Sequence, residues 1–200
     1  MLLFILLLSH FGQTISADCF DFKTKITQPL MEPIALPITA RENAKFGTDS
    51  VHGSWGTVRG IVQKPIHAIF KKLLDPFTVR NRKITELQFT TEKTKNQLAL
   101  EHIKITVRPV LFLSASWEED WGFTLDKGSE TKPEKIIISY QKTAGTPLLE
   151  HLCGNMILMS ETNLSTDVYL YEEVKSKYRN TEDTLKGLLG TLKILREELF

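Results

Sequence analysis

The last third of the chain combines strand-like segments with one long amphipathic helix. Residues 134–175 are rich in β-branched and aromatic side chains, and residues 180–199 follow a helical period. Leucines recur in that helix at i, i+3, i+4, i+7 and i+10, which places them on one face. They are Leu185, Leu188, Leu189, Leu192 and Leu195. This face must cover an apolar surface, and the sheet that precedes the helix is the nearest candidate.

The ends of this helix carry suitable residues, but its middle contains two glycines. Asn180 is a good N-cap, and Glu182 and Asp183 place negative charge in the first turn, where it is favoured. Gly187 and Gly190 each cost roughly 1 kcal/mol relative to alanine inside a helix. We predict that these glycines allow close contact between helix and sheet. The alternative is a notch left open for a ligand.

The rest of the domain reads as a strand, a helix and a run of further strands. Residues 56–63 form the first predicted strand, and Lys64-Pro65 then opens a helix whose buried stripe includes Ile66, Ile69 and Leu73. Short turn-forming clusters separate the later strands, which is typical of an antiparallel meander. Those later strands are predicted over residues 83–91, 97–107, 109–116, 120–125, 134–141, 151–159 and 166–174.

An acidic segment lies between two tryptophans, Trp117 and Trp121. Its residues are Glu118, Glu119 and Asp120. Clustered carboxylates suit hard cations, so a cation site is one interpretation. A solvated hairpin turn is the interpretation that we favour, and we predict no metal site and no cofactor.

Length and charge exclude some classes of protein. With 200 residues, of which 42% are hydrophobic, the chain can bury the core of one main domain. Its 25 basic and 24 acidic residues give a net charge of +1, and no basic stripe with interleaved aromatic residues occurs. We therefore expect no nucleic-acid partner. The oligomeric state does not follow from the sequence.

The N-terminal segment predicts export. Residues 2–8 are an unbroken apolar run, and residues 13–17 offer a cleavage site with small residues, so residues 1–17 are predicted to be a signal peptide. The mature protein would then be secreted or periplasmic and would have no transmembrane segment, because the apolar run is too short to span a bilayer. Residues 18–50 contain several prolines and are predicted to be an extended arm, followed by one domain over residues 51–200.

The chain has two cysteines, Cys19 and Cys153. In an oxidising compartment they can form a disulfide that ties the mature N-terminus to a late strand. The alternative is a buried free Cys153 with a flexible Cys19, and spacing alone leaves both open.

The order of elements resembles a known superfamily. Residues 56–76 look like its opening strand and a helix that ends at Asp75-Pro76, residues 138–158 and 166–170 look like its closing strands, and the leucine helix completes the set. The chain is therefore similar to the START-like (SRPBCC) superfamily. The resemblance implies an α+β helix-grip fold, in which a curved antiparallel sheet of about six or seven strands wraps a long C-terminal helix. It implies a fold more firmly than an activity, because members include carriers and cyclases.

A sheet that grips a helix can enclose a pocket. We predict an apolar or amphipathic small molecule, such as a lipid, as the partner bound between the sheet and the C-terminal helix. The predicted ligand-binding residues are Trp117, Trp121, Ile138, Tyr140, Met156, Leu158, Tyr169, Tyr171, Leu188 and Leu192.

Two other functions stay open at this point. None of the common catalytic motifs occurs in the sequence, so an enzyme is the less favoured hypothesis. A cyclase or hydrolase in the same cavity would use His102 or His151 together with a carboxylate. A protein-interaction module with a filled core and no ligand is the third alternative.

Overall fold

The computed structural model describes Cys19 and residues 43–49, 53–74, 84–94, 97–110, 113–177 and 179–198. The predicted signal peptide, residues 1–17, lies outside these ranges. Among the residues described, no helix has the length and apolarity needed to cross a membrane.

Within the described ranges, eight antiparallel strands form one sheet, in the order β1-β2-β8-β7-β6-β5-β4-β3. The strands from β3 to β8 pair with their neighbours in the sequence, and β8 then lies beside β2. The strands are β1 (Asn43–Asp49), β2 (Gly53–Val62), β3 (Ile84–Thr94), β4 (Gln97–Val110), β5 (Leu113–Gly128), β6 (Pro133–Gly145), β7 (Leu149–Thr162) and β8 (Ser165–Ser176). The helices are α1 (Ile66–Leu73) and α2 (Thr181–Lys193), and a π-helical turn (Ile194–Glu198) continues α2.

The predicted fold class, a curved antiparallel sheet with a C-terminal helix, is confirmed. The sheet has eight strands rather than six or seven. One reason is that residues 43–49, part of the predicted arm, pair with β2. The predicted strands 109–116 and 120–125 are not separate elements, because β5 runs without interruption from residue 113 to residue 128.

The predicted hairpin turn at the acidic segment is wrong. Glu118, Glu119 and Asp120 lie in the middle of β5 and pair with β4. Glu119 is buried there, and its carboxylate accepts hydrogen bonds from the indole nitrogens of Trp117 and Trp121. A buried carboxylate is tolerated inside a strand when partners of this kind satisfy it.

The leucine face of α2 is confirmed. Leu188, Leu192 and Leu195 are buried in the main core, and Leu185 and Leu189 pack partly buried against it. Asn180 and Asp183 form a reciprocal capping box: the Asp183 amide donates to the Asn180 side chain, and the Asn180 amide donates to the Asp183 carboxylate. The capping residues therefore set the start of α2, and the leucines set which side faces the sheet.

The close contact between helix and sheet comes from glycines of β2. A Cβ on Gly60 would lie 2.7 Å from Leu192 Cδ2, and one on Gly56 would lie 3.1 Å from Leu188 Cδ1. A Cβ on Gly190 would meet nothing within 4 Å. The prediction that the helix glycines bring α2 against the sheet was therefore wrong, since α2 approaches through its leucines.

The sheet has two faces, which we call concave and convex. The concave face carries the main core and faces α1 and α2, with α2 packing principally on β2, β8 and β1. The convex face is the opposite one. A disulfide joins Cys19 to Cys153 on the convex face of β7, which fixes one residue of the N-terminal segment to the sheet.

Candidate functional site

Strand register lines up apolar side chains in rows across the concave face. In one row, each residue lies directly opposite the next on the neighbouring strand. We call this the central row, and it consists of Val58, Leu170, Met156, Ile138, Phe123 and Ala99. A second row, nearer to α1, contains Val168, Leu158 and Ile136. The ring of Phe70 from α1 contacts that of Phe123 edge to face, with centroids 6.0 Å apart. The side chains named in these two rows are all apolar. Arg196 lies beside the second row, since its Nη2 would be 2.6 Å from a Cβ on Gly60.

The adjacent row toward the start of α2 is different. We call it the polar row because it contains two carboxylates and a tyrosine within the same cross-strand register. Its members are Gly56, Glu172, Gly154, Tyr140, Trp121 and Glu101. The polar row therefore interrupts the apolar surface one row away from the central row, and Leu152 and Val174 form a separate apolar cluster beyond it.

Tyr140 and Trp121 form the aromatic part of the polar row. Their rings stack with centroids 4.5 Å apart and an interplanar angle of 14°. The Tyr140 ring lies over Gly154, where a Cβ would overlap it. The glycine thus makes the room that lets the phenol lie flat against the sheet.

Glu172 is the centre of the hydrogen bonds in the polar row. The Tyr140 hydroxyl donates to Glu172 Oε2 over 3.1 Å, and Arg179 Nη2 donates to Glu172 Oε1 over 2.6 Å. Arg179 lies just before the N-cap of α2, and its guanidinium passes Gly187, where a Cβ would lie 2.6 Å from Nη2. Gly187 therefore leaves space for the arginine to reach the polar row.

A third carboxylate, that of Glu119, lies one row further toward this end of the sheet. Glu119 Oε1 accepts from Trp117 Nε1 over 2.6 Å, and Glu119 Oε2 accepts from Trp121 Nε1 over 2.7 Å. Trp121 therefore connects the two groups, since it bonds Glu119 through its nitrogen and stacks on Tyr140 through its ring.

Burial shifts the pKa values of Glu172, Tyr140 and Lys142. Burial raises the pKa of Glu172, while the Arg179 charge and the Tyr140 hydrogen bond act in the opposite direction. Burial also raises the pKa of Tyr140 well above its ordinary value, and the nearby Glu172 charge adds to the effect. Lys142, which lies across from Glu119 on β6, has its pKa lowered by burial. Tyr140 therefore stays a neutral hydrogen-bond donor.

Eight of the ten predicted ligand-binding residues lie on the concave side. The register and the core place these residues on that side: Trp117, Trp121, Ile138, Tyr140, Met156, Leu158, Leu188 and Leu192. That these residues contact a ligand remains a prediction.

Tyr169 and Tyr171 lie on the convex face and do not line this site. They pack with Ile157 and Trp55 in a separate cluster, and the Tyr171 and Trp55 rings lie 6.5 Å apart. Side chains alternate along a strand, so the concave residues of β8 are Val168, Leu170 and Glu172 instead. The prediction that Tyr169 and Tyr171 line the site is therefore wrong, because the sequence did not determine which face of β8 points toward α2.

The two histidine candidates also lie on the convex face. His102 is half-exposed, and its Nδ1 is 2.6 Å from Asp120 Oδ1. His151 is buried, and its Nε2 is 3.4 Å from Glu173 Oε2. Each histidine has a carboxylate partner, but neither belongs to the concave site, so the catalytic arrangement predicted for that cavity is wrong.

Sequence reasoning missed Glu172, Arg179 and Glu119 as residues of the site. The available signal was Glu172 itself, a carboxylate at an alternate position after Val168 and Leu170. Arg179 lies between strand and helix, and only the folded chain shows that it turns back toward β8.

Comparison with solved structures shows the fold. The human StarD13 (DLC2) lipid transfer and protein localization domain is similar with a TM-score of 0.60 and 9% identity, covering 81% of this chain and 86% of that one. The STAR-related lipid transfer protein from Xanthomonas axonopodis gives 0.54 and 12%, covering 82% and 97%. The di-domain ARO/CYC StfQ from the steffimycin biosynthetic pathway gives 0.51 and 12%, covering 72% and 44%.

No protein-family model matches the sequence, and no curated protein matches it. The structural likenesses show a START-like (SRPBCC) helix-grip fold, as the sequence resemblance implied. At such low identity they show the fold alone.

Proposed function

We propose that this chain binds an apolar or amphipathic small molecule, such as a lipid, between the concave face and α2. The observation that carries the proposal is the change from the apolar central row to the polar row. A ligand with a hydrocarbon part and a polar group matches that change. The hydrocarbon would lie on the central row beside α2, and the polar group would lie at Glu172 and Arg179.

The two rows would contribute differently to binding. Burial of hydrocarbon stabilises a complex by roughly 25 cal/mol per Å² of apolar surface. The polar row would add orientation, because binding sites of this kind use a few placed polar groups on an apolar wall. The Arg179 side chain is 30% exposed and that of Glu172 is 14% exposed, so a ligand hydroxyl can accept from the first and donate to the second.

The structural neighbours support an apolar ligand. Two are described as lipid transfer proteins or domains and one as a di-domain ARO/CYC. The enzyme alternative for this chain depended on His102 and His151, and both lie on the convex face. No observation therefore favours it over binding.

Bromine quenching of tryptophan fluorescence tests the site. The chain has three tryptophans, with Trp117 and Trp121 on the concave side and Trp55 in the convex cluster. A brominated fatty acid bound as proposed should quench the Trp55→Phe variant saturably. The Trp121→Phe variant should lose most of this quenching, because its remaining reporters lie further from the central row.

Native mass spectrometry of the same samples supplies the stoichiometry. One fatty acid per chain, together with the quenching pattern above, supports the proposal. Absence of both saturable quenching and a bound fatty acid or lysophospholipid would leave the packed, ligand-free alternative. If quenching is lost in Trp55→Phe and kept in Trp121→Phe, the ligand binds on the convex face instead.

A matched pair of variants tests the polar row. Arg179→Gln removes the charge that contacts Glu172 and should weaken binding of a fatty alcohol. Lys186→Gln removes an exposed charge of α2 that pairs with Glu182, outside the site. Equal affinities for the two variants would show that the polar row does not contact the ligand.

We also propose that the protein is exported and that residues 1–17 are removed as a signal peptide. The apolar run in residues 2–8 and the Cys19–Cys153 disulfide support it, because disulfides persist in oxidising compartments. Determination of the N-terminal residue in the secreted or periplasmic fraction tests it. Protein that still begins at Met1 would contradict cleavage.

A further inference from the structure

A cluster of metal-ligating side chains surrounds the disulfide on the convex face. The ligand atoms of Cys19, His151 and Cys153 all lie within 4.8 Å of one another. Cys153 and Glu173 are cross-strand partners on β7 and β8, and His151 lies two residues before Cys153 on the same face. Four side chains of types that bind zinc therefore share one patch of the sheet.

The distances around His151 match the edges of a tetrahedral zinc site. Zinc lies about 2.3 Å from thiolate sulfur and about 2.0–2.1 Å from imidazole nitrogen or carboxylate oxygen, so tetrahedral geometry sets sulfur–nitrogen edges of about 3.6 Å and nitrogen–oxygen edges of about 3.4 Å. Cys19 Sγ is 3.7 Å from His151 Nε2. The same nitrogen is 3.4 Å from Glu173 Oε2.

A further residue holds the carboxylate in place. The Tyr171 hydroxyl donates to Glu173 Oε1 over 2.7 Å, while Oε2 is the oxygen nearest to His151. Hydrogen bonds of this kind orient carboxylate ligands in metal sites. The His151 and Glu173 side chains are only 9% and 13% exposed, so water competes little at this patch.

We propose that Cys19, His151, Cys153 and Glu173 bind one zinc ion when the Cys19–Cys153 disulfide is reduced. A dithiol reductant supplies two electrons and two protons: the sulfur–sulfur bond breaks, two thiols form, and the reductant becomes a cyclic disulfide. Zinc then binds the two sulfurs as thiolates and releases their two protons. In the oxidised chain neither sulfur is a thiolate, so disulfide and zinc exclude each other.

The geometry allows the sulfurs to separate. The two Cα atoms are 6.3 Å apart, and each cysteine can rotate about its own Cα–Cβ bond once the bridge is broken. Two thiolates on one tetrahedral zinc lie about 3.8 Å apart, which such rotations can reach. Thiolate and imidazole ligands favour zinc over calcium or magnesium, which prefer oxygen.

Cobalt titration of the full chain tests the proposal. The protein is reduced with dithiothreitol, freed of reductant under argon, and titrated with Co²⁺, which reports zinc-type sites by its spectrum. We expect one cobalt ion per chain, a sulfur-to-cobalt charge-transfer band and tetrahedral d–d bands, all abolished by adding Zn²⁺. The oxidised chain should show none of these signals.

Variants identify the ligands. Cys153→Ser and Cys19→Ser should each weaken the charge-transfer band, and His151→Ala should shift the d–d bands and lower the affinity. Tyr171→Phe removes an outer contact and should cost roughly tenfold in affinity. His102→Ala is the matched control, because His102 also has carboxylate partners on the convex face but no cysteine beside it. Its titration should equal that of the parent chain.

Two results would overturn the proposal. One is a reduced, folded chain, checked by circular dichroism, that binds no stoichiometric cobalt. The other is a cobalt spectrum that is the same in Cys19→Ser or His151→Ala as in the parent. Cys153→Ser changes a buried residue of β7 and can prevent folding. Cys19 lies outside the sheet, so Cys19→Ser should fold and can be used for the test in that case. The site is on the face opposite the proposed ligand, so fatty-acid binding and cobalt binding can fail independently.

Discussion

The concave and convex faces of the sheet are both buried over the central strands, but with different chemistry. The concave face contains the apolar rows under α1 and α2. The convex face buries an ion pair between Arg59 and Asp167, the polar residues Asn155 and Ser139, and the disulfide of Cys153. Apolar contacts on the first face tolerate substitution by similar volumes, whereas the buried charges of Arg59 and Asp167 on the second face each need the other.

This difference between the two faces predicts which single substitutions lower the free energy of unfolding most. A buried charge that loses its partner stays desolvated, which costs more than a lost apolar contact of modest size. A glycine on the concave face matters in another way, because it determines how closely a side chain can lie against the sheet. The following predictions separate these effects.

Asp167→Asn should give the largest loss of stability. Arg59 Nε donates to Asp167 Oδ1 over 3.1 Å, and both side chains are 7% exposed. Leaving the arginine charge buried and uncompensated should lower the free energy of unfolding by about 3–5 kcal/mol. Urea denaturation measures the change.

The matched control for Asp167 is the exposed pair of Lys127 and Glu134, 3.0 Å apart. Glu134→Gln should cost less than about 1 kcal/mol, because an exposed pair gains little from its attraction. Similar losses for the two variants would contradict the assignment of the convex pair as a buried, interdependent one.

Gly154→Ala should give an intermediate loss on the concave face. The new Cβ would overlap the Tyr140 ring and lie 2.6 Å from the Tyr171 carbonyl oxygen. Because backbone cannot yield easily, we expect a loss of about 1–3 kcal/mol. Tyr140 should also leave Glu172, which near-ultraviolet circular dichroism would detect as a change in the Trp121–Tyr140 stack. An unchanged spectrum at reduced stability would show that the ring does not depend on this glycine.

Gly190→Ala should stabilise the chain. A Cβ there meets nothing within 4 Å, so alanine should add up to roughly 1 kcal/mol of helix propensity. Gly187→Ala should gain less, because its Cβ would lie 2.6 Å from Arg179 Nη2 and the arginine must move. Thermal denaturation compares the two, and an equal gain would mean that Arg179 does not need the space above Gly187.

Glu172→Gln should change the pH dependence of stability, with a small amplitude because Arg179 and Tyr140 oppose the effect of burial. Burial raises the pKa of Glu172, so the folded chain binds its proton more tightly than the unfolded chain does. The contribution of Glu172 to stability is then present below the ordinary glutamate pKa and is lost as pH rises through the raised one. The stability of the parent relative to Glu172→Gln should therefore fall from acidic to neutral pH. Urea titrations at several pH values test this, and a constant difference would contradict it.

Local sequence patterns predicted the helices and strands well. They predicted less well on which face of the sheet each side chain lies. The leucine spacing, the N-cap at Asn180 and the turn clusters predicted α2 and the meander, because hydrophobic period and capping act within a few residues. The acidic segment was predicted wrongly as a turn, because a run of carboxylates is typical of an exposed turn. Here two indoles provided by the same strand satisfy Glu119.

The sequence by itself determined the fold class, the face of α2 that is buried and the cysteine pair available for bonding. Only the tertiary structure decided that Glu172, Tyr140 and Arg179 meet, and that Tyr169, Tyr171 and both histidine candidates face the other way. The physical reason lies in the strands of the centre of the sheet. Both faces of these strands are buried, so polar and apolar residues do not alternate along them as they do in a strand with one exposed face. The face on which a side chain lies is therefore set by the register with the neighbouring strands.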